Sequence, residues 1–242
     1  MIDTHCHLLP GLDDGARSLS ESVSMARRLA GCGVTAVVCT PHVSRQFPTR
    51  RDRAVRTLRE LESALDELGI RLELKLAAEV HPRNALQLDV DELRTWTLNG
   101  RYLIVELLKE TRAGEIDSIA RRVADAGMSA VFAHPERCHE IQADSAILER
   151  AREQGALVQV VAPSLTGAVP SIVARTAWEL VSAGAADLVA SDGHRATGAR
   201  LRLDALAEVI ATRAGRDTAE TLLTHQPRVL IAAPNGSNAK GN

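Results

Sequence analysis

Short apolar runs of strand character alternate with longer amphipathic segments along most of the chain. The runs are Met1–His5, Val34–Thr40, Leu72–Glu79, Tyr102–Leu107, Ala130–Ala133, Leu157–Val161 and Asp187–Ala190. Between them the pattern predicts helices over Glu21–Ala30, Arg50–Leu68, Gly114–Ala126, Ile147–Gln154, Ser171–Ala183 and Arg202–Thr212. Glycines fall where such helices must stop, at Gly31, Gly33, Gly69, Gly127, Gly155 and Gly184. Successive runs begin about 30 residues apart, the length of one strand–helix unit. Seven such units predict an α/β fold, a closed parallel barrel in preference to an open doubly wound sheet. No glycine-rich fingerprint comes after the first run, and no linker rich in Pro, Gly or Ser interrupts the chain before residue 233. One domain is expected over residues 1–232, with a polar, disordered tail over 233–242.

Composition narrows the function classes. The 242 residues are 45% hydrophobic, enough for a real core, and only five are aromatic. Lys and Arg number 29 against 31 Asp and Glu, a formal net charge of −2. That balance offers no long-range field for nucleic acid, and five aromatics make no base-stacking platform. Only three cations are lysines, so any anion site here is built from guanidinium groups. Cys6, Cys32, Cys39 and Cys138 are irregularly spaced and read as reduced thiols. No apolar stretch approaches the roughly 20 residues of a membrane span, and no basic–apolar leader opens the chain. The expectation is a soluble cytoplasmic protein without membrane insertion.

The polar residues at the end of each apolar run carry the chemistry. The first run ends in Asp3-Thr4-His5-Cys6-His7, with Asp13-Asp14 soon after; the second in Thr40-Pro41-His42; the third in Glu79. The fourth carries Glu106 among apolar neighbours, the fifth ends in His134-Pro135-Glu136-Arg137, and the seventh in Ser191-Asp192-Gly193-His194. In a parallel barrel the C-terminal strand ends open onto one face, so six of seven runs deliver His, Asp or Glu to one rim. One His at a strand end is ordinarily a loop or satisfied core residue. Five of the eight histidines arriving there together are not explained that way. Glu106 demands a cation beside it, because an unpaired carboxylate in an apolar strand is costly. His-x-His on a strand aims both imidazoles to one side. Imidazoles mixed with carboxylates, without thiolate, suit Mn, Fe or Zn at a hydrolytic centre. Nine candidate donors exceed what one ion uses, and two or three ions bridged by Glu79 or Asp192 would employ them.

These motifs resemble the polymerase and histidinol phosphatase (PHP) superfamily. They resemble more closely its bacterial manganese-dependent protein-tyrosine phosphatases of capsule and exopolysaccharide operons. The opening His5-Cys6-His7 through Asp14, then Thr40-Pro41-His42, Ala78-Glu79-Val80, Val105-Glu106-Leu107, His134-Pro135-Glu136-Arg137 and Ser191-Asp192-Gly193-His194 keep that family's order over roughly residues 1–232. The resemblance implies a distorted (β/α)7 barrel of TIM-like type and a trinuclear centre, usually manganese. Its ligands would be His5, His7, Asp14, His42, Glu79, Glu106, His134, Asp192 and His194. Arg137, Asp192 and His194 would serve the chemistry, an in-line attack on phosphorus by hydroxide generated at the metals. Arg137 would grip phosphate, since a planar guanidinium holds two of its oxygens at once. The substrate implied is the phosphotyrosine tail of a cytoplasmic tyrosine autokinase.

The chain departs from that pattern in three places. Cys6 stands where the family has Ser and is a candidate for metal binding or oxidation. The second phosphate arginine is displaced, leaving Arg195, Arg200 and Arg202 as candidates, of which Arg200 is preferred. The sixth run ends Val160-Val161-Ala162-Pro163-Ser164 instead of in an Asn-containing segment, so a polar contact is expected to be missing there. Three rival readings remain. Cys39 to Arg45 fits the C-x5-R signature of thiolate phosphatases, but 26 arginines make such a match cheap and Pro41 removes a phosphate-binding amide. A small phosphomonoester such as histidinol phosphate could be the substrate, although no long insertion walls in a small ligand. A regulatory module with a vestigial metal site would have lost ligands, whereas all nine positions are filled.

Overall fold

The structure, a computed structural model, describes residues 1–167 and 169–232; the tail over 233–242 lies outside the described residues. Nine strands form: β1 Ile2–Cys6, β2 Ala36–Cys39, β3 His42–Val43, β4 Glu73–Leu76, β5 Glu79–Val80, β6 Tyr102–Glu106, β7 Ser129–Ala133, β8 Leu157–Val161 and β9 Leu188–Ala190. They pair in parallel throughout, as a three-stranded sheet in the order β1-β2-β4 and a six-stranded sheet in the order β3-β5-β6-β7-β8-β9.

Two of the seven expected runs differ from the strands that form. The second gives β2 alone, because Pro41 has no N–H to give the ladder and ends it after Cys39, and β3 forms just beyond the expected run. The third breaks beside it into β4 and β5, with Ala77 N–H donating to Cys39 O at 3.0 Å and Glu79 N–H to Pro41 O at 3.2 Å. The bent pair passes from one sheet into the other and sets His42 directly opposite Glu79. At the far side the segment after β9 returns to β1: Cys6 bridges Gly193 in parallel, and Asp192 N–H donates to His5 O at 3.0 Å.

The six expected helices form as α1 Leu19–Gly31, α2 Arg51–Glu67, α5 Ala113–Asp125, α7 Ala146–Glu153, α9 Ser171–Ser182 and α10 Leu203–Ala214. Shorter ones join them: α3 Pro82–Gln87, α4 Val90–Thr95, α6 His139–Ala143, α8 Ala162–Leu165, α11 Arg216–Glu220 and α12 Gln226–Ile231. With one or two turns each, they are too brief to show an apolar stripe in sequence. Each long helix buries one stripe, as in α2 with Ala54, Thr57, Leu61 and Leu65, and α5 with Ile116, Ile119, Ala120 and Val123. Helix α5 stops at Gly127, whose φ of +70° lets the chain reverse into β7. No helix among the described residues is long and apolar enough to cross a membrane.

Strands sandwiched this way bury both faces, and β7 is almost wholly buried with Phe132 at its centre, fully enclosed. Replacing Phe132 with Ala should leave a cavity too well braced to collapse. Urea unfolding is expected to show a loss of about 3–5 kcal/mol.

Candidate metal centre

The strand ends converge as their sequence pattern requires, and Glu79 sits at the point of convergence. Its carboxylate is 1% exposed. One oxygen lies 3.2 Å from each of His5 Nε2, His7 Nε2 and His42 Nδ1, and the other 2.8 Å from His134 Nε2. His5 and His7 point the same way, their Nε2 atoms 3.2 Å apart, although a bulge interrupts the β1–β2 register between Asp3 and Cys6. Asp192 Oδ1 faces His5, His7 and His194 at 3.9, 3.8 and 3.6 Å. The more exposed Asp14 Oδ1 stands 3.5 Å from both His42 Nε2 and His194 Nε2. Glu106 joins His42 and Glu79 in a third group. Three sets of donors, each within 4.8 Å of one another, result: His7, Asp14, His42 and His194; His5, His7 and Asp192; His42, Glu79 and Glu106. Eight of the nine expected ligands fall in these sets, and His134 reaches them through Glu79.

The electrostatics of this donor set call for cations. Burial and then the Glu79 charge push Glu106 up to about 7. Burial works against protonating His5 and His7, yet Glu79, with Asp13 at His7, raises both. Burial and the neighbouring His7 lower His194 to about 4, leaving its imidazole neutral with a free lone pair. Protons and metal ions compete for such nitrogens, and an ion among these donors relieves the crowding of carboxylates at once. All-nitrogen-and-oxygen donors match the expected Mn, Fe or Zn chemistry. The residues present fit two or three such ions.

Three residues outside the expected set hold it in place, and a fourth, Glu136, braces β8 beside it. Asp13 accepts from His7 Nδ1 at 2.7 Å and from the His42 and Gly15 amides at 2.9 and 2.8 Å. Burial opposes its charge, but the His7 hydrogen bond and charge together with the His42 and Gly15 amides outweigh it and hold Asp13 at about 2. Gln159 Oε1 lies 2.8 Å from His5 Nδ1, and its amide donates to Thr4 Oγ1 at 2.9 Å. The polar contact expected to be missing from the sixth run is thus made two residues before its end, by a lone Gln among apolar neighbours. Asp3 receives Ser191 N–H at 2.9 Å and Ser191 Oγ–H at 2.5 Å, tying the loop of Asp192 and His194 to β1. Glu136, fully buried, accepts the Val161 amide at 3.2 Å. A carboxylate or amide buried in an apolar strand was the available signal for Asp3 and Gln159; Asp13 and Glu136 lie outside the strands and carry no such signal. Two of the expected ligands also carry left-handed backbone, His134 at φ +40° and Asp192 at φ +50°. His134 is secured by its amide donating to Gln159 O at 2.8 Å, and Asp192 by the matching bond to His5 O.

Arginines close the site. Arg137 Nη2 donates to Asp192 Oδ2 at 2.8 Å, and Arg200 Nη1 to Asp192 O at 3.0 Å. Both line a cavity of about 720 Å³ with Asp14, His42, Glu106 and His134. Arg195 also reaches it, although its guanidinium is engaged by the Asp14, Gly15 and His194 carbonyls. Arg202 does not: it pairs with exposed Asp204 at 2.8 Å outside that cavity, which removes it as a candidate phosphate contact.

The thiols stand apart from this chemistry. All four cysteines are free. Cys6 turns into the core, its thiol donating to Gly193 O at 3.4 Å and kept protonated by burial, so it belongs to none of the donor sets. Cys39 is fully buried, which drives its pKa upward and leaves no thiolate, while Arg45 is exposed. The C-x5-R reading fails on both counts.

A parallel α/β fold with a histidine–carboxylate cluster at its strand ends defines the class. The chain belongs to the capsular polysaccharide synthesis family CpsB/CapC, whose model matches residues 1–232. It is 30% identical to the tyrosine-protein phosphatase YwqE of Bacillus subtilis over 196 residues, 80% of this chain and 77% of that protein. It superposes with a TM-score of 0.87 and 26% identity on a chain from the crystal structures of YwqE from Bacillus subtilis and CpsB from Streptococcus pneumoniae, described as metal-dependent tyrosine phosphatases. That match covers 96% of this chain and 95% of that one. The lactonase Lmo2620 of Listeria monocytogenes shares the fold alone, with a TM-score of 0.57 at 14% identity over 96% of this chain and 94% of that one.

Because Asp13 fixes the His7 ring without belonging to any donor set, Asp13→Ala should lower metal affinity about 10–100-fold while the protein stays folded. Equilibrium dialysis against Mn²⁺ or Zn²⁺, with circular dichroism alongside, checks this.

Proposed function

We propose that this chain is a metal-dependent protein-tyrosine phosphatase of the PHP superfamily, acting in the cytoplasm on a tyrosine autokinase that governs capsule or exopolysaccharide export. Residues 1–232 would form one distorted (β/α)7 barrel carrying the site. The observation that carries the reading is the meeting of two chemistries at Asp192: its Oδ1 faces three imidazoles, and Arg137 and Arg200 approach from the other side. A cation cluster beside two guanidinium forks is what a phosphoryl group requires.

His5, His7, Asp14, His42, Glu79, Glu106, His134, Asp192 and His194 would hold two or three ions, manganese by family resemblance. Bound there, the ions would supply a hydroxide at neutral pH and polarise the phosphoryl oxygens. Arg137 and Arg200 would orient the phosphate and offset the charge that builds on its oxygens as the bond to the leaving group lengthens. His194, a member of one donor set and of the cavity wall, would serve the chemistry by holding an ion beside the tyrosyl oxygen.

Hydrolysis of a phosphotyrosine peptide tests the proposal, with p-nitrophenyl phosphate and histidinol phosphate in parallel. Activity should require added Mn²⁺, vanish with chelator and with His134→Ala, and persist in Cys39→Ser. Arg137→Ala should lower kcat about a hundredfold or more with metal content unchanged. Activity that survives chelation and is lost with Cys39→Ser would overturn the metal mechanism. A clear preference for histidinol phosphate would overturn the protein substrate.

A further inference from the structure

A second cavity, of about 680 Å³, adjoins the first and shares Asp14, His42 and Glu106 with it. Its remaining wall comes from the two segments that leave the paired strands β3 and β5. Because His42 is opposite Glu79 and Val43 opposite Val80, Ser44–Phe47 and His81–Asn84 leave the sheet side by side. Both segments are fixed. Ser44 N–H donates to Phe47 O at 3.0 Å and Phe47 N–H to Ser44 Oγ at 3.0 Å, which closes a tight turn. Asn84 Nδ2 and His81 N–H both donate to Val43 O at 3.1 Å and clamp the second segment against the first.

The turn presents Phe47 at the junction of the two cavities, its ring stacked on His42 at 5.5 Å between centroids and 12° between planes. Beyond it, Arg45 comes from one segment and Arg83 from the other, both exposed and both lining the cavity. Neither forms an ion pair among the described residues, whereas Arg17, Arg50, Arg56, Arg152 and Arg202 all do. The shared acids Asp14 and Glu106 belong to the donor sets of the metal centre, so their charge is spoken for when ions are bound.

We infer that this second cavity is a subsite for an anionic residue flanking the phosphotyrosine, with Phe47 bordering the tyrosyl ring and Arg45 and Arg83 binding the flanking charge. The inference rests on the phosphatase reading and extends it to sequence preference. A glutamate or aspartate carboxylate and the phosphate of a second phosphotyrosine offer the same chemistry, a compact anion for two guanidinium forks.

Steady-state kinetics of the Mn²⁺-loaded protein and of its Arg45→Gln/Arg83→Gln variant distinguish the outcomes. The substrates are p-nitrophenyl phosphate and three phosphotyrosine peptides flanked on both sides by Gln, by Glu, or by a non-hydrolysable phosphonate analogue of phosphotyrosine. The unaltered protein should prefer the anionic flanks, and the better of the two identifies the natural source. The double variant should raise KM for those peptides about three- to tenfold with kcat unchanged, as two partly exposed charge pairs warrant. Gln-flanked peptide and p-nitrophenyl phosphate should be unaffected, and the preference should shrink at high ionic strength. Equal kinetics for all substrates in both proteins would overturn the subsite and leave the phosphatase reading standing. So would an equal loss on p-nitrophenyl phosphate, which would place the arginines in the fold or the phosphate site. No turnover of any substrate by the unaltered protein would overturn both.

Discussion

Four imidazole nitrogens crowd within 3.2 Å of one buried carboxylate, that of Glu79, and the rest of the molecule is arranged around keeping them there. Such a cluster is expensive to assemble. Polar rings and charges leave water, a transfer that only hydrogen bonds and opposite charges offset. The surrounding parallel sheet supplies the compensation. Its strands are near-continuously buried Val, Ile, Leu and Ala, so the polar cluster is confined to their ends. The bent pair of strands through Pro41 and Glu79 is part of the same solution, because the break places His42 opposite Glu79 in register.

The second constraint is orientation. A ligand ring that can rotate is a poor ligand, and here the pairing of ring with anchor is spread across the fold. His7 is held by Asp13 from its own loop, and His5 by Gln159 from β8, far along the chain. The loop bearing Asp192 and His194 is fixed to β1 by Asp3. His134 and Asp192 sit in left-handed backbone that His and Asp adopt at a cost of order 1–3 kcal/mol, and each has its amide tied to a neighbouring strand's carbonyl. Strain maintained in this way is a property of the neighbouring strands that accept these amides, not of either loop by itself.

That distinction explains which features were legible in the sequence. The strand–helix alternation, the glycine stops and the arrival of His, Asp and Glu at or just after the strand ends arise from local periodicity and could be read residue by residue. The anchors could not be read so readily, because they act at long range. Gln159 is one polar residue in an apolar run, and nothing nearby says that it faces His5, 154 residues away. The end of β2 and the start of a new strand at His42 were signalled by Pro41; the division of Leu72–Glu79 between β4 and β5 had no such signal, and it bends because its neighbour does. Cys6 illustrates the opposite error. Proximity in sequence to two ligands suggested a role at the metals, but strand alternation turns it into the core.

Asp192 is where these threads join. One of its oxygens faces the imidazoles and the other receives Arg137, so the position of the guanidinium is set by the same carboxylate that belongs to the donor sets. Burial works against its charge, but His5 and then Arg137 hold its pKa well below the usual carboxylate range, keeping it anionic through the neutral region. The carboxylate therefore fixes the spacing between the donor sets and the Arg137 guanidinium. A chain with a net charge of −2 needs no basic surface to attract an anion when its few cations are held at that spacing. Preorganisation of this kind is also why Arg, with a fork that grips two oxygens in a fixed plane, is used there in a protein that has only three lysines.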